Sequence, residues 1–230
     1  EVTVDPADIA ETSYLSRDFD ASLRRGIEAL PSSKIEVEQI SSKMLEKGWE
    51  VQLLTNADAS EENLKSVKGP AVLHIATHGL FLDDMENAPL LMPGIEKYHE
   101  NPLLRSMLFF SGAAGSMKNE TNSGGGILTG YEAQNLDLSG TELVVLSGCN
   151  TASGDVMCGE GVFGLQRAFR AAGAESIMMS LWPVNDRNTQ ELMVSFYEKW
   201  LSGTGKREAF RQARLEAKSK HPEICNWGGF

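Results

Sequence analysis

Cysteine is scarce in this 230-residue chain: Cys149, Cys158 and Cys225 are the three thiols, and their spacing builds neither a disulfide framework nor a zinc site. Thiols so few and so irregular suit a reducing, cytoplasmic compartment, where one of them is free to do chemistry. Long apolar runs are missing too. None reaches the roughly 18 residues that crossing a bilayer requires, and the Asp-, Glu- and Arg-rich beginning carries no signal-peptide pattern, so neither export nor membrane association is expected. Basic residues are in the minority. With 21 Lys and Arg against 32 Asp and Glu, the formal charge of −11 argues against direct nucleic-acid binding and favours a basic partner. No internal repeat is found. The glycine-rich "SGGGILTG" lacks the Gly-Lys-Ser/Thr ending of a phosphate cradle and reads as a loop.

What is present is alternation of strand and helix patterns. Residues 1–30 show no clear period and read as a connector or an incomplete leading element, while 31–230 read as one domain. "SSKIEVEQISSKMLEKG" predicts a helix with Ile35, Ile40, Met44 and Leu45 near one face, Ser32 or Ser33 as N-cap and Gly48 as terminator. "WEVQLLT" reads as a strand, "SEENLKSV" as a short helix capped by Ser60, and "GPAVLHIATHG" as a buried strand running into a glycine turn. Residues 83–130 are a long excursion in which Asp, Asn, Pro, Gly and Ser interrupt short apolar runs. "TELVVLSG" then reads as a central parallel strand, "GEGVFGLQRAFRAAGA" as a helix ended by Gly173, and "ESIMMSLW" as the next strand. Two amphipathic helices close the chain. The alternation implies a parallel sheet with helices on both faces.

Ligands of such sheets bind beyond the carboxyl ends of the strands. Three of those ends carry reactive residue types: His78 and Gly79 after "AVLHIAT", Cys149 after "TELVVLSG", and Asp186 after "SIMMSLWPVN". If the strands are neighbours, the three share a crevice with the parts that thiol acyl chemistry needs. Cys149 is the candidate nucleophile, His78 the acid and base, and the Gly79 and Cys149 amides the oxyanion donors. Each has a plainer reading. A cysteine after an apolar strand is often buried filler, and Asp186 could merely cap the helix beginning near Asn188. His74, inside the strand, reads as a packed, hydrogen-bonded histidine. The His74-x-x-x-His78 spacing would suit zinc only on a helix, and the flanking residues read as strand, so no metal or other cofactor is expected.

Taken together, "VLHIATHGLF", "NPLLRSMLFFSGA", "GGGILTGYEAQNLDLSGTELVVLSGCNTASG", "GEGVFGLQRAFRAAGAESIMMSLWPVNDRNTQELMVSFYEKWLSG" and "EAFRQARLEA" resemble the CHAT domain, a caspase-like cysteine peptidase fold often found with tetratricopeptide repeats. The resemblance implies a three-layer α/β/α sandwich around a mainly parallel sheet and a His78–Cys149 dyad. It also implies an oxyanion hole of the Gly79 and Cys149 amides, and an acidic specificity residue near Asp186 receiving a basic side chain. The implied partners are a protein substrate and a regulatory repeat array in the same or another chain. Gly148 stands where such domains commonly carry alanine, a change expected to be tolerated, and "HPEICNWGGF" resembles the family's closing motif cut off before its last strand. The alternative is an interaction domain of this fold whose site is dead or unused.

Overall fold

A computed structural model of the chain describes residues 30–81, 101, 103–104, 106–113, 125–148, 160–181 and 184–230. Its centre is a parallel sheet of three strands, β1 (Val72–Ile75), β5 (Leu143–Leu146) and β6 (Ile177–Met179), in the order β1-β5-β6. Ile75 lies opposite Leu146, and Leu146 opposite Met179. The middle strand is the "LVVL" of the apolar run, and all four of its residues are buried. A strand with no polar position has no face to give to water, so both faces must be covered.

They are covered by two different layers. Leu143 and Val145 point toward α1 (Pro31–Glu46), α5 (Asp186–Leu201) and α6 (Lys206–Lys220), where Ile40, Met44, Leu192, Phe196 and Tyr197 close the core. Val144 and Leu146 point the other way, toward Leu165, Ala168 and Phe169 of α4 (Glu160–Ala171) and Leu64 of α2 (Glu61–Ser66). The period of two along β5 thus separates two cores and gives the expected three layers. Each such Leu or Val contributes about 1.5–3 kcal/mol relative to leaving it exposed. Ala209, Ala213 and Ala217 recur every fourth residue and are buried, which lets α6 come close to α5.

The long excursion contains more order than its composition suggests. β2 (Gly79–Phe81), β3 (Ser106–Phe109) and β4 (Ile127–Thr129) form an antiparallel sheet in that order, and Leu108 and Leu128 join the core beneath α4. Its far end is pinned electrostatically. Thr129 and Glu132 make a reciprocal capping box at the start of α3 (Gly130–Ala133). Lys65 of α2 bonds both Glu61 and Glu132, and the other Glu61 oxygen accepts from the Gly126 N–H at 2.8 Å.

Three local expectations need correction. Residues 49–55 are not a strand; Trp49 and Val51 pack instead against the α5 and α6 layer. The buried face of α1 is rotated from the apolar one. Ile35 and Leu45 are exposed, while Ser33, Glu36, Ile40, Ser41 and Met44 are buried. Neither Ser32 nor Ser33 caps α1, whose N-cap position is Leu30 with no side-chain bond. The cap comes from another helix, as described below. Gly48 does end α1 in the left-handed region, at φ +81°, and Ser60 does cap α2.

Candidate functional site

Because β1, β5 and β6 are parallel neighbours, their carboxyl ends share one edge of the sheet. Beyond β1 the chain does not turn away. The Ser147 N–H donates to the Ile75 carbonyl at 3.0 Å, which extends the β1–β5 pairing past both strands. Gly148 then lies flat against Thr77. A Cβ on Gly148 would sit 2.6 Å from the Thr77 nitrogen and closer still to its carbonyl oxygen, so backbone meets backbone with no room for a methyl group. Thr77 is itself tied down, its hydroxyl donating to the Phe109 carbonyl of β3. The segment that leads to Cys149 is therefore in direct contact with the residue before His78.

Gly148 is thus more than a small residue. Gly148→Ala is expected to push the two strand ends apart with the fold kept and, if Cys149 and His78 act together on a substrate, to lower turnover by roughly tenfold to a hundredfold. A steady-state kinetic comparison at matched folded fraction checks this. Unchanged kcat would mean that the two segments separate at no cost to the chemistry. The contact is with backbone and not with a side chain that could move aside.

His78 is half-buried and leads into β2. In an antiparallel ladder only alternate pairs exchange backbone hydrogen bonds. Phe109 N–H donates to the His78 carbonyl at 3.0 Å, so His78 and Phe109 are the bonded pair. Gly79 faces Leu108 in the next, non-bonded pair, and its N–H is turned away from β3. Cys149, with its amide, lies outside the described residues, as do Cys158 and the loop carboxylates Asp83, Asp84 and Asp155, which are rivals to Asp186 for a basic side chain.

Asp186 is the first residue of α5, and its own helix is capped by Asn185, whose side chain accepts from the Asn188 N–H. The Asp186 carboxylate reaches sideways to α1. One oxygen accepts from the Ser32 N–H at 2.9 Å and the other from the Ser33 hydroxyl at 3.0 Å. It is the missing N-cap of α1, supplied in trans by a neighbouring helix. α1 and α5 run parallel as a result, with Gln39 bonded to Gln190 and Lys43 paired with Glu198 further along. A carboxylate has about four acceptor positions, so two bonds leave capacity for a further donor.

A second polar cluster lies under the same sheet edge. His74 points from the middle of β1 into the α1 and α5 layer. Its Nε2 is 2.7 Å from Glu36 Oε1 and 3.2 Å from Ser147 Oγ, and its Nδ1 is 3.1 Å from the Tyr197 hydroxyl. Glu36, Ser147 and Tyr197 are each at most 1% exposed. Burial, reinforced by the Glu36 charge, pushes the Tyr197 hydroxyl well above the usual phenol range. His74 is the hydrogen-bonded core histidine expected. Its partners were not foreseen: nothing in "SKIEVEQI" marks Glu36 as buried, because a hydrophobic period cannot register a charged residue whose partner lies elsewhere in the chain.

Among the described residues no group of three or more His, Cys, Asp and Glu could hold a metal ion, and no helix is long and apolar enough to cross a membrane.

A parallel three-strand core between helical layers defines an α/β protein. The chain belongs to the CHAT domain family, whose sequence profile matches residues 9–230, and the fold is accordingly of the caspase-like kind. The match starts ahead of residue 31, where the pattern sharpens. Tetratricopeptide repeat protein 28 from Mus musculus and from Homo sapiens each share 35% identity with it over 108 residues, which is 45% of this chain and 4% of the relative. The chain thus spans a small fraction of the curated relatives that it matches. No solved structure matches it.

Proposed function

We propose that the chain is a cysteine endopeptidase that cleaves protein substrates with a Cys149–His78 dyad. The observation that carries the reading is the contact between Gly148 and Thr77. It joins the segment entering Cys149 to the segment entering His78, and it supports a thiol and an imidazole working in one cleft. In the reaction, the Cys149 thiolate attacks the scissile carbonyl carbon. The Gly79 and Cys149 amides receive the oxyanion, and His78 delivers a proton to the departing amine, leaving a thioester. Water, deprotonated by His78, then releases the acid and restores the thiol. Asp186 is the acceptor for a basic side chain before the scissile bond, using the acceptor positions that α1 leaves open, and the net acidity of the chain agrees. Regulation by a tetratricopeptide repeat array, in this chain or a partner, extends the reading from the relatives' name.

A peptide ketone or vinyl electrophile with arginine at its terminal position tests the reading directly. Labelling at Cys149, found by peptide mapping, is expected; no labelling in the 230-residue chain, with or without a candidate repeat module, would leave an interaction domain as the better description. Substrate profiling separates the roles of Asp186. Asp186→Asn is expected to reduce cleavage after Arg or Lys by roughly tenfold to a thousandfold and to spare cleavage after apolar residues. Asn can still accept from the Ser32 N–H, but the charge at the start of α1 is lost, so stability should fall modestly as well, by about 0.3–1 kcal/mol. A fall in stability with an unchanged profile would confine Asp186 to the α1 cap.

A further inference from the structure

The buried cluster of Glu36, His74, Tyr197 and Ser147 has no part in the dyad chemistry, yet it ends two residues short of Cys149. Its members come from α1, β1, α5 and the end of β5, so four separate elements converge on one imidazole. A buried pair of this kind is a weak source of stability, since well-packed apolar residues of the same volume usually do as well or better. What it supplies is direction. The Tyr197 hydroxyl lies 3.1 Å from Nδ1 of His74. With Nδ1 against the Tyr197 hydroxyl and Nε2 against Glu36 and Ser147, both ring nitrogens have partners and the ring has one orientation only. Glu36 is equally fixed. One turn before it, Ser32 and Ser33 are held by Asp186, and one turn after it Gln39 is held by Gln190.

We propose that Glu36, His74 and Tyr197 are a positioning set that fixes, through the Ser147 hydroxyl, the strand end leading into Cys149. Ser147 and Gly148 are then gripped from two sides. The His74 network holds the Ser147 side chain from the α1 and α5 layer, and the Ile75 and Thr77 backbone holds the main chain from β1. The set acts on the nucleophile only by holding the segment that carries it. It also makes the site answerable to α1: a displacement of that helix would take Glu36 from His74 and release Ser147. This inference rests on the peptidase reading for its kinetic consequence, but not for its structural one.

The test compares Glu36→Gln and Tyr197→Phe with the native 230-residue chain, using Glu208→Gln on the exposed side of α6 as control. Both variants keep shape and remove a charge or a single hydroxyl. The quantities read are melting temperature, the rate of Cys149 alkylation by iodoacetamide, kcat and KM on a peptide substrate, and amide hydrogen exchange across residues 143–150. Faster exchange at 143–150 with α6 unchanged is expected in both variants. A fall in Cys149 alkylation and in kcat of roughly tenfold to a hundredfold, with KM little changed, should accompany it. The control, which loses only surface bonds to Arg211 and Gln212, should leave alkylation, kcat and exchange at 143–150 unchanged. A lower melting temperature with unaltered exchange at 143–150 would overturn the proposal and leave the cluster a structural one. If exchange responds but native Cys149 is no more reactive than Cys225, the positioning stands and it is the peptidase reading that fails.

Discussion

Cys149→Ala should reduce peptide cleavage to background while leaving the melting temperature within a degree or two of the native chain. Deleting an attacking side chain that works as a unit with its base costs about a million-fold in other hydrolases. Alanine removes only the thiol and keeps Cβ. The comparison with the other thiols gives the prediction its edge. Cys225 is exposed, so Cys225→Ala should change neither quantity, and Cys158→Ala is expected to be mild. The rival reading, Cys149 as a buried hydrophobe, forecasts the reverse: a loss of stability of about 1–2 kcal/mol on truncation, with any cleavage lost only in proportion to the unfolded fraction. Cleavage and melting curves on the same preparations decide between them. Activity surviving in the folded Cys149→Ala chain would remove the nucleophile from the mechanism altogether.

The parallel core was legible because its strands hide nothing. "LVVL" has no polar position, and such a run belongs in the middle of a sheet covered on both faces, which is where β5 lies, between β1 and β6. That β1, β5 and β6 are neighbours could not be read from the alternation of strand and helix, which left both adjacency and order as conditions that the structure supplies. The antiparallel sheet was harder. β2 and β4 are three residues each and β3 is four, and runs so short, set among Gly, Asn and Ser, carry too few alternations to distinguish strand from loop. "WEVQLLT" failed in the opposite sense. Its composition suits a strand, but Trp49 and Val51 are spent on packing against α5 and α6.

The candidate site divides along the same line. Residue types at strand ends can be found from sequence, since a reactive side chain after an apolar run followed by glycine is a local pattern. Tertiary partnerships cannot. Glu36 and His74 are 38 residues apart, and Asp186 and Ser32 are 154 apart. Each pairing decides how an entire helix is oriented: Glu36 turns the face of α1 inward at the expense of Ile35, and Asp186 replaces a cap that neither serine provides. A polar residue on an otherwise apolar face is misread whenever its partner lies on another element, because burial is then fixed by hydrogen bonding rather than by hydropathy.

The two histidines four residues apart should respond oppositely to the same substitution. His78→Ala is expected to lower turnover by roughly a hundredfold to ten-thousandfold, the usual worth of a general acid and base, with little effect on melting. Without an imidazole to take its proton the thiol must ionise alone, so the residual rate should climb with pH through about 8.5, the ordinary range of a free cysteine. His74→Ala should act first on the fold. It leaves the Glu36 carboxylate and the Tyr197 hydroxyl buried without their partner, and breaking a buried pair from one side costs about 3–5 kcal/mol. Whatever turnover it loses at temperatures where it remains folded would come through the loosened Ser147 end, so the shape of its pH–rate profile should match the native one. Measuring kcat/KM against pH for both variants, alongside their melting curves, distinguishes a residue that moves protons from one that holds a strand in register. An alkaline-shifted profile for His74→Ala and a native one for His78→Ala would exchange the two roles. The catalytic imidazole would then be the buried one, and the cleft would have to open on the α1 face of the sheet.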